Sequence, residues 1–218
     1  MKPKVLTMLL GDSRVWLSAF QNYEQQAIDC ITTAWPKVLE GINSTSIENE
    51  ITRTLCFWLR KDRRLRDIGV LIPFHYLLEL NANKIADAPS EIDFSIQIGD
   101  DPDHYLAFEC KRINVEFPSG KKSLIYEYIE EGLMRFITLK YAPKVPLACM
   151  LGYVSDGDLI SASTKLEKGL LKHSTKTKQN GALTSLSNSS SLSTTCCSHH
   201  QRNDGRFIEI RHTLLGIS

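Results

Sequence analysis

The sequence lacks several features that mark other classes of protein. Its apolar runs stay below the roughly 18 residues that a transmembrane helix requires. The first residues, MKPKVLTMLLGDSRVW, have no convincing apolar core or cleavage site, so no signal peptide is expected. No G-x-x-x-x-G-K-[ST] pattern indicates ATP use, and neither G-x-S-x-G nor H-E-x-x-H is present. A membrane protein, an ATPase and two common types of hydrolase are therefore disfavoured.

The chain also has no excess of charge of one sign. Its 218 residues include 26 Lys and Arg against 25 Asp and Glu, so a nucleic-acid ligand would need a local basic patch. The six cysteines are scattered, and several lie in apolar runs, which fits a reducing compartment better than a disulfide framework. We therefore expect a single cytoplasmic domain over residues 1–218, with no membrane partner.

The spacing of apolar residues divides the first half of the chain into helices and a hairpin. A helix is predicted over 13–40, which Pro36 should kink or end. A second helix is predicted within NSTSIENEITRTLCFWLRKDRRLRD, with Ser46 as its N-cap. The run 70–80 is ambiguous between strand and helix, and 91–113 is predicted to form a β-hairpin.

The second half is predicted to alternate helices with strands. A long helix closed by Pro143 is expected in FPSGKKSLIYEYIEEGLMRFITLKYAP, followed by a buried strand in VPLACMLGYVSD. A helix over 156–172 and a final strand in RFIEIRHTLLGIS complete the pattern. Between these two, 173–205 is rich in Ser and Thr and is expected to be a low-complexity mobile insertion. The order favours an α/β or α+β domain with a mixed central sheet.

Charged residues occupy unusual positions in the predicted hairpin. Asp93 begins one strand, and Glu109, Cys110 and Lys111 end the other. Side chains two residues apart share a face of a strand, so Glu109 and Lys111 should emerge together while Cys110 points into the packing. With the strands in register, Asp93 lies close to Glu109, and the two carboxylates repel unless a cation lies between them. A solvated Glu–Lys pair on a surface hairpin would give the same pattern.

This group of residues suits the hydrolysis of a phosphodiester. Carboxylate oxygens favour Mg²⁺ or Mn²⁺ over Zn²⁺ as the bound ion. The Lys111 ammonium can stabilise developing phosphate charge, or orient a water and help to deprotonate it.

Asp93, fifteen intervening residues and Glu109-Cys110-Lys111 resemble the PD-(D/E)xK motif of restriction-endonuclease-like nucleases. The resemblance covers about residues 90–155, although no Pro directly precedes Asp93. It implies an α/β fold with a restriction-endonuclease-like mixed central sheet flanked by helices, and a nuclease that depends on Mg²⁺ or Mn²⁺. It also implies that Asp93 and Glu109 hold the metal, with the Cys110 carbonyl as a further ligand, and that Lys111 assists the attacking water.

The resemblance also suggests substrates and partners. DNA is the expected substrate, and RNA stays open because nothing in the metal site recognises the sugar. By analogy with the fold, the chain would act as a homodimer or as the cutting subunit of a bacterial restriction or antiphage defence complex. The alternative is a catalytically inactive member of the fold, or an unrelated α+β scaffold, that serves as a binding or assembly subunit. The nearly neutral net charge favours this alternative.

Residues on two helices are candidates for further contacts. Glu50 or Glu48 could complete the metal site; Glu50 is preferred for its place in EIT, although the helix dipole alone favours acids in a first turn. After the motif, Tyr128, Glu131 and Arg135 recur at spacings of three and four, which places them on one helix face. This loosely resembles the substrate-facing helix of the RecB-like branch, and a Glu131–Arg135 surface pair is the alternative.

Basic residues are candidates for binding the substrate. The forked donors of Arg135 suit a phosphate, and Lys121 and Lys122 would attract one or simply be solvated. A basic cluster could follow nucleic acid, bind a partner, or only complement a helix C-terminus. It consists of Arg60, Lys61, Arg63, Arg64 and Arg66.

The histidines give no prediction of a metal site. The stretch CCSHH at 196–200 lacks the paired C-x₂-C and H-x₃-H spacing of zinc motifs, and its flanks are of low complexity. His75 and His212 lie in apolar runs and are expected to be packed, hydrogen-bonded core residues.

Overall fold

A seven-stranded mixed sheet forms the centre of this protein in the computed structural model. The structure describes residues 13–73, 92–100, 103–186 and 190–217, with side chains from residue 18 onward. The strands of these ranges, in chain order, are β1 Val70–Pro73, β2 Phe94–Gln97, β3 Tyr105–Ile113, β4 Val115–Phe117, β5 Gly120–Lys122, β6 Leu147–Val154, β7 Thr184–Ser185, β8 Ser193–Gln201 and β9 Phe207–Gly216.

The sheet has parallel strands at its centre and antiparallel strands on both sides. Its order is β1-β2-β3-β6-β9-β8-β7. β3, β6 and β9 run parallel, and the outer strands pair antiparallel with their neighbours. β4 and β5 form a separate hairpin. Every residue of β6 is buried, as expected for a parallel strand that is covered on both faces. The predicted α/β domain with a mixed central sheet is confirmed at this level.

Helices cover both faces of the sheet. Trp35 stacks on Tyr153 of β6 and donates to the Gly216 carbonyl, with 2.8 Å between nitrogen and oxygen. On the other face, the lack of a side chain at Gly132 lets its helix lie close to Met150 of β6. Of the helices in the described ranges, none is long and apolar enough to cross a bilayer. The helices of the described ranges are α1 Ser13–Leu39, α2 Glu48–Leu59, α3 Arg63–Ile68, α4 (Ile125–Glu127, Tyr128–Leu133 and Met134–Ile137), α5 Leu159–Lys172 and α6 Ser174–Thr177.

The predictions for the first half of the chain are largely confirmed. The first helix continues through Pro36 to Leu39. The predicted second helix is two helices. The first ends at Leu59, and Asp62 then caps α3 by accepting a hydrogen bond from a backbone amide. The N-cap of α2 is Ile47, so the prediction of Ser46 is wrong by one residue.

The predicted hairpin is confirmed, with β2 antiparallel to β3 and Phe94 opposite Phe108. The ambiguous run 70–80 begins with β1, and its remainder lies outside the described residues.

The long helix predicted after the motif begins later than expected. Residues 115–122 form the β4–β5 hairpin instead, in which Val115 pairs with Lys122. Its turn includes Gly120 at φ +103°, a conformation that glycine adopts without steric cost. The helix itself starts at Ile125.

The prediction of a mobile insertion at 173–205 is wrong. This segment holds α6, β7 and β8, and β8 pairs with β9 along its whole length. Most side chains of β8 are buried, and their hydroxyl groups find partners across the sheet, such as Thr195 with Thr213 at 3.3 Å between the oxygens. Polar composition misled the prediction because buried Ser and Thr are tolerated where hydrogen bonds satisfy them.

A buried chain of hydrogen bonds links α4 to α6 through β9 and β8. The Tyr128 hydroxyl lies 3.0 Å from His212 Nδ1, and Ser198 Oγ lies 2.7 Å from both His212 Nε2 and His200 Nε2. His200 Nδ1 in turn lies 2.8 Å from the Thr177 carbonyl oxygen of α6. Burial lowers the pKa of His212 to about 3 and that of His200 to about 4. The expectation that His212 is a packed, hydrogen-bonded residue is confirmed, and His75 lies outside the described residues.

The contribution of these histidines to stability should be lost in weak acid. Below the ordinary histidine pKa of 6.5, the unfolded chain takes up protons that buried His212 and His200 do not, so the stability that these two side chains contribute falls as pH falls from about 6.5 towards 4. We expect His212→Gln to reduce the slope of unfolding free energy against pH by roughly 1.4 kcal/mol per pH unit in that window. Urea unfolding at several pH values measures it.

Ile210→Val is the matched control, because it weakens the same buried strand and leaves both histidines in place. It should lower the unfolding free energy by about 1 kcal/mol at every pH, without changing the slope of unfolding free energy against pH. Equal slopes for wild type and His212→Gln would contradict the prediction.

Candidate active site

The site lies where β2 begins, because one edge of β3 is uncovered beyond that point. β2 pairs with β3 only as far as Phe94 and Phe108, whereas β3 continues to Ile113. Past that point the edge amides of β3 need other acceptors. The Cys110 amide donates to Asp93 Oδ2 at 2.6 Å, and the Arg112 amide donates to Glu48 Oε2 at 3.1 Å. Two carboxylates are thereby held beside β3.

Glu109 and Lys111 emerge on the same side of β3 and contact each other. Lys111 Nζ lies 2.7 Å from Glu109 Oε1 and 3.2 Å from Glu48 Oε1, and it donates to the Cys110 carbonyl at 2.9 Å. Burial alone would lower the pKa of Lys111, but the Glu109 and Glu48 carboxylates raise it above its usual range. The ammonium therefore stays charged at the centre of a group of oxygen atoms.

Glu109 is the most buried acid of the site, with only 1% of the residue exposed. Beyond its ion pairs with Lys111 and with Arg135, the latter at 3.6 Å, neither of its oxygens receives a hydrogen bond from the described residues. Burial and the neighbouring Asp93 raise the pKa of Glu109 to about 8, in spite of both cations. Burial also raises the pKa of Asp93, against the hydrogen bond from Cys110. The cluster contains more negative charge than its own cations relieve.

The donor set of this site fits a hard divalent cation. Asp93, Glu109 and Glu48 offer only oxygen atoms, which are the ligands that Mg²⁺ and Mn²⁺ prefer. The two oxygens of Glu109 are buried with few donors, so an ion would stabilise them. The Cys110 carbonyl already accepts from Lys111, but a carbonyl oxygen has a second lone pair.

Glu48, and not Glu50, is the acid of α2 that lies at the site. Glu50 is exposed, and its Oε2 accepts a hydrogen bond from the Ile47 amide at 3.3 Å, which caps the helix. Residues 48 and 50 are about 200° apart around the helix, so only one of them can face β3. The preference for Glu50 as a metal ligand is therefore corrected in favour of Glu48.

The three residues that were predicted to share one face of α4 lie in different surroundings. Tyr128 is fully buried and bonded to His212, so it does not face a substrate as predicted. Glu131 is exposed, and Arg135 lies half-buried near Glu109. Residues 128–133 are π-helical, and hydrogen bonds from i to i+5 change the phase that spacings of three and four assume.

Lys121 and Lys122 lie on β5 and engage residues near their own hairpin. Lys121 forms an ion pair with Asp156, and Lys122 Nζ lies 5.2 Å from the centre of the Phe117 ring. Both side chains are exposed, so they add positive charge to the surface without joining the carboxylate cluster.

A cleft of about 370 Å³ opens beside Lys111. Glu48 and Arg112 line it on one side, and Glu127 and Glu131 of α4 line it on the other. The basic cluster 60–66 begins at the opposite end of α2, about 18 Å from Glu48 by the rise of the helix. Both acidic and basic residues therefore line the cleft, and the basic cluster lies outside it.

Two contributors to the site were not predicted from the sequence. The Arg112 amide anchors Glu48, and Tyr141 accepts a hydrogen bond from Arg135 while it packs against Phe136. A backbone amide carries no signal in a sequence pattern, and the position of Tyr141 depends on the turn after α4.

Comparisons with protein-family models, curated proteins and solved structures find no match for this chain. The resemblance to restriction-endonuclease-like nucleases therefore depends on the motif residues Asp93, Glu109 and Lys111.

Removal of the Lys111 charge should destabilise the fold. In Lys111→Met, Glu109 and Glu48 lose the ammonium that contacts both of them, and we expect a loss of about 3 kcal/mol in unfolding free energy. Since protonation of Glu109 relieves the repulsion, the loss should be larger at pH 9 than at pH 6. Urea unfolding at the two pH values measures this.

The matched control is Lys37→Met, which removes an exposed lysine that pairs with Glu40. Its cost should stay below about 0.5 kcal/mol. If Lys111→Met proves no less stable than Lys37→Met, the ammonium does not hold the carboxylates together.

Proposed function

We propose that this chain is a metal-dependent nuclease of the restriction-endonuclease-like type that hydrolyses phosphodiester bonds, with DNA as its expected substrate. The observation that carries the proposal is the convergence of Asp93, Glu109, Lys111 and Glu48 from three elements at the uncovered edge of β3. A mixed sheet with a helix after the lysine strand supports it.

The roles of the residues follow from their positions. Asp93 and Glu109 would hold Mg²⁺ or Mn²⁺, with Glu48 as a third carboxylate. Such an ion neutralises charge on phosphate oxygens and lowers the pKa of a bound water. Lys111 lines the cleft, so its ammonium can stabilise the negative charge that grows on the phosphate. Arg135, 3.6 Å from Glu109, adds forked donors beside the site.

The wider setting of this activity is part of the proposal. The sequence has no P-loop, so energy-dependent movement along DNA is not part of the activity proposed for these residues. By analogy with the fold, a homodimer or the cutting subunit of a restriction or antiphage defence complex is the arrangement we propose.

A second candidate is a catalytically inactive member of the fold that serves as a binding or assembly subunit. One observation favours it: Lys111 already lies among the carboxylates, and Asp93 and Glu48 already satisfy backbone amides. The same contacts would be enough to hold β3 in place without catalysis. Activity assays separate the two candidates.

The purified chain should cut plasmid DNA in the presence of Mg²⁺ or Mn²⁺ and not in EDTA. Glu109→Gln and Lys111→Met should each reduce the cleavage rate at least about 100-fold, because each removes charge that acts on the phosphate or the metal. Glu48→Gln should reduce it less. Single-stranded DNA and RNA, tested in parallel, identify the preferred substrate.

Glu50→Gln is the matched control for Glu48→Gln, since both alter an acid in the first turn of α2 and only Glu48 reaches β3. Glu50→Gln should cut at the wild-type rate. Cleavage that persists in Glu109→Gln would refute the site, and a wild-type chain that cuts no DNA or RNA with either ion would favour the inactive scaffold.

A further inference from the structure

A second group of ligating side chains lies on the β8–β9 pair. Cys197 and His199 are two residues apart on β8, and His199 is the partner of Glu209 on β9. Alternate residues of a strand share a face, and so do directly opposed residues of an antiparallel pair. The three side chains therefore project from the same face of the sheet.

This face is opposite to the one that carries Glu109. Glu109 aligns with Met150 on β6 and with His212 on β9, so these three residues share a face. Glu209 is three positions from His212 and therefore points the other way, towards α1. The group on β8 and β9 is independent of the carboxylate site.

The three ligand atoms already lie close to one another. Cys197 Sγ is 4.0 Å from His199 Nε2, His199 Nε2 is 3.6 Å from Glu209 Oε2, and all three atoms lie within 4.8 Å. Around a tetrahedral Zn²⁺ the bond lengths give about 3.6 Å between sulfur and nitrogen and about 3.3 Å between nitrogen and oxygen. For the sulfur–nitrogen and nitrogen–oxygen pairs, changes of a few tenths of an ångström would bring the observed separations to these values.

The surroundings hold the carboxylate of this group in place. Gln21 of α1 donates to Glu209 Oε2 at 2.9 Å, and Arg211 donates to Glu209 Oε1 at 2.9 Å. Arg211 is fixed in turn by Glu24, at 2.9 Å. Oε2 keeps a second lone pair for a metal. Hydrogen bonds of this kind orient metal-binding carboxylates in known sites.

We propose that Cys197, His199 and Glu209 form a Zn²⁺-binding site with a fourth coordination position open to solvent. Sulfur and imidazole ligands select Zn²⁺ over Mg²⁺, which separates this site from the all-oxygen cluster. The His199 side chain is 47% exposed, so the ion can enter from solvent and keep a water or an external ligand.

The cysteine would lose its proton when the metal binds. Burial, reinforced by the Glu209 charge, raises the pKa of the Cys197 thiol to about 12, so the metal-free thiol is protonated at neutral pH. Only the thiolate ligates Zn²⁺, and binding therefore releases one proton, which goes to the buffer.

The test uses the full chain, stripped of metal by a chelator and titrated with Co²⁺. Wild type should develop the ultraviolet charge-transfer absorption of a cobalt–thiolate bond, with one Co²⁺ per chain, and Zn²⁺ should abolish it by displacement. Cys197→Ser should lose this absorption. His199→Gln, at an exposed position that tolerates substitution, should weaken Zn²⁺ binding by more than the 10- to 100-fold that is typical of the loss of an outer-shell partner.

Cys196→Ser is the matched control, because Cys196 is the adjacent residue of β8 and points to the opposite face. It should keep both the absorption and the affinity. No cobalt–thiolate absorption in wild type, or absorption that survives in Cys197→Ser, would overturn the proposal, as would unchanged Zn²⁺ affinity in a folded His199→Gln.

Discussion

The unpaired edge of β3 governs the placement of charge in this protein. Because β2 begins only at Phe94, opposite Phe108, the amides of Cys110 and Arg112 have no strand to donate to. A buried amide without an acceptor costs about as much free energy as a lost hydrogen bond, and here carboxylates accept the hydrogen bonds of both amides. Those carboxylates lie next to Glu109, and the resulting negative charge requires the Lys111 ammonium.

This arrangement explains why the charged forms of the carboxyl groups in the site are unfavourable. Burial, and after it the neighbouring Asp93 charge, raise the pKa of Glu109 to about 8 in spite of Lys111 and Arg135. Replacement of a buried ion pair by well-packed apolar residues is often neutral or stabilising, and strongly shifted pKa values cluster at functional sites. The same cluster that would bind a metal also closes the edge of the sheet, so stability and the proposed activity depend on the same residues.

The two faces of the sheet carry different chemistry. One face has the oxygen cluster and the buried Tyr128–His212–Ser198 chain, whose polar atoms find partners within the fold. The other packs α1 and holds Cys197 and Glu209 near the Gln21 side chain. Oxygen-only and sulfur-containing ligand sets prefer different ions, so the two proposed sites would favour different kinds of metal.

Local sequence patterns predicted the helices and strands well where interactions between residues close in the chain determine them. The helix through Leu39 follows from apolar periodicity, because burial of one face imposes it, and the strand β6 follows from a continuous apolar run. The motif also predicted that Glu109 and Lys111 share a side of β3. Predictions failed at Ser193–Gln201, where polar composition hid a strand that is satisfied by its neighbours, and at Tyr128, where the π-helical stretch shifts the phase.

The sequence by itself determined which residues could carry chemistry and which segments have the period of a strand or a helix. Only the tertiary structure decided that Glu48 rather than Glu50 faces β3, and that Glu209 joins a cysteine and a histidine from another strand. The reason is physical: periodicity is a property of neighbours along the chain, whereas a shared site depends on strand pairing and helix phase. Those depend on how the whole core packs.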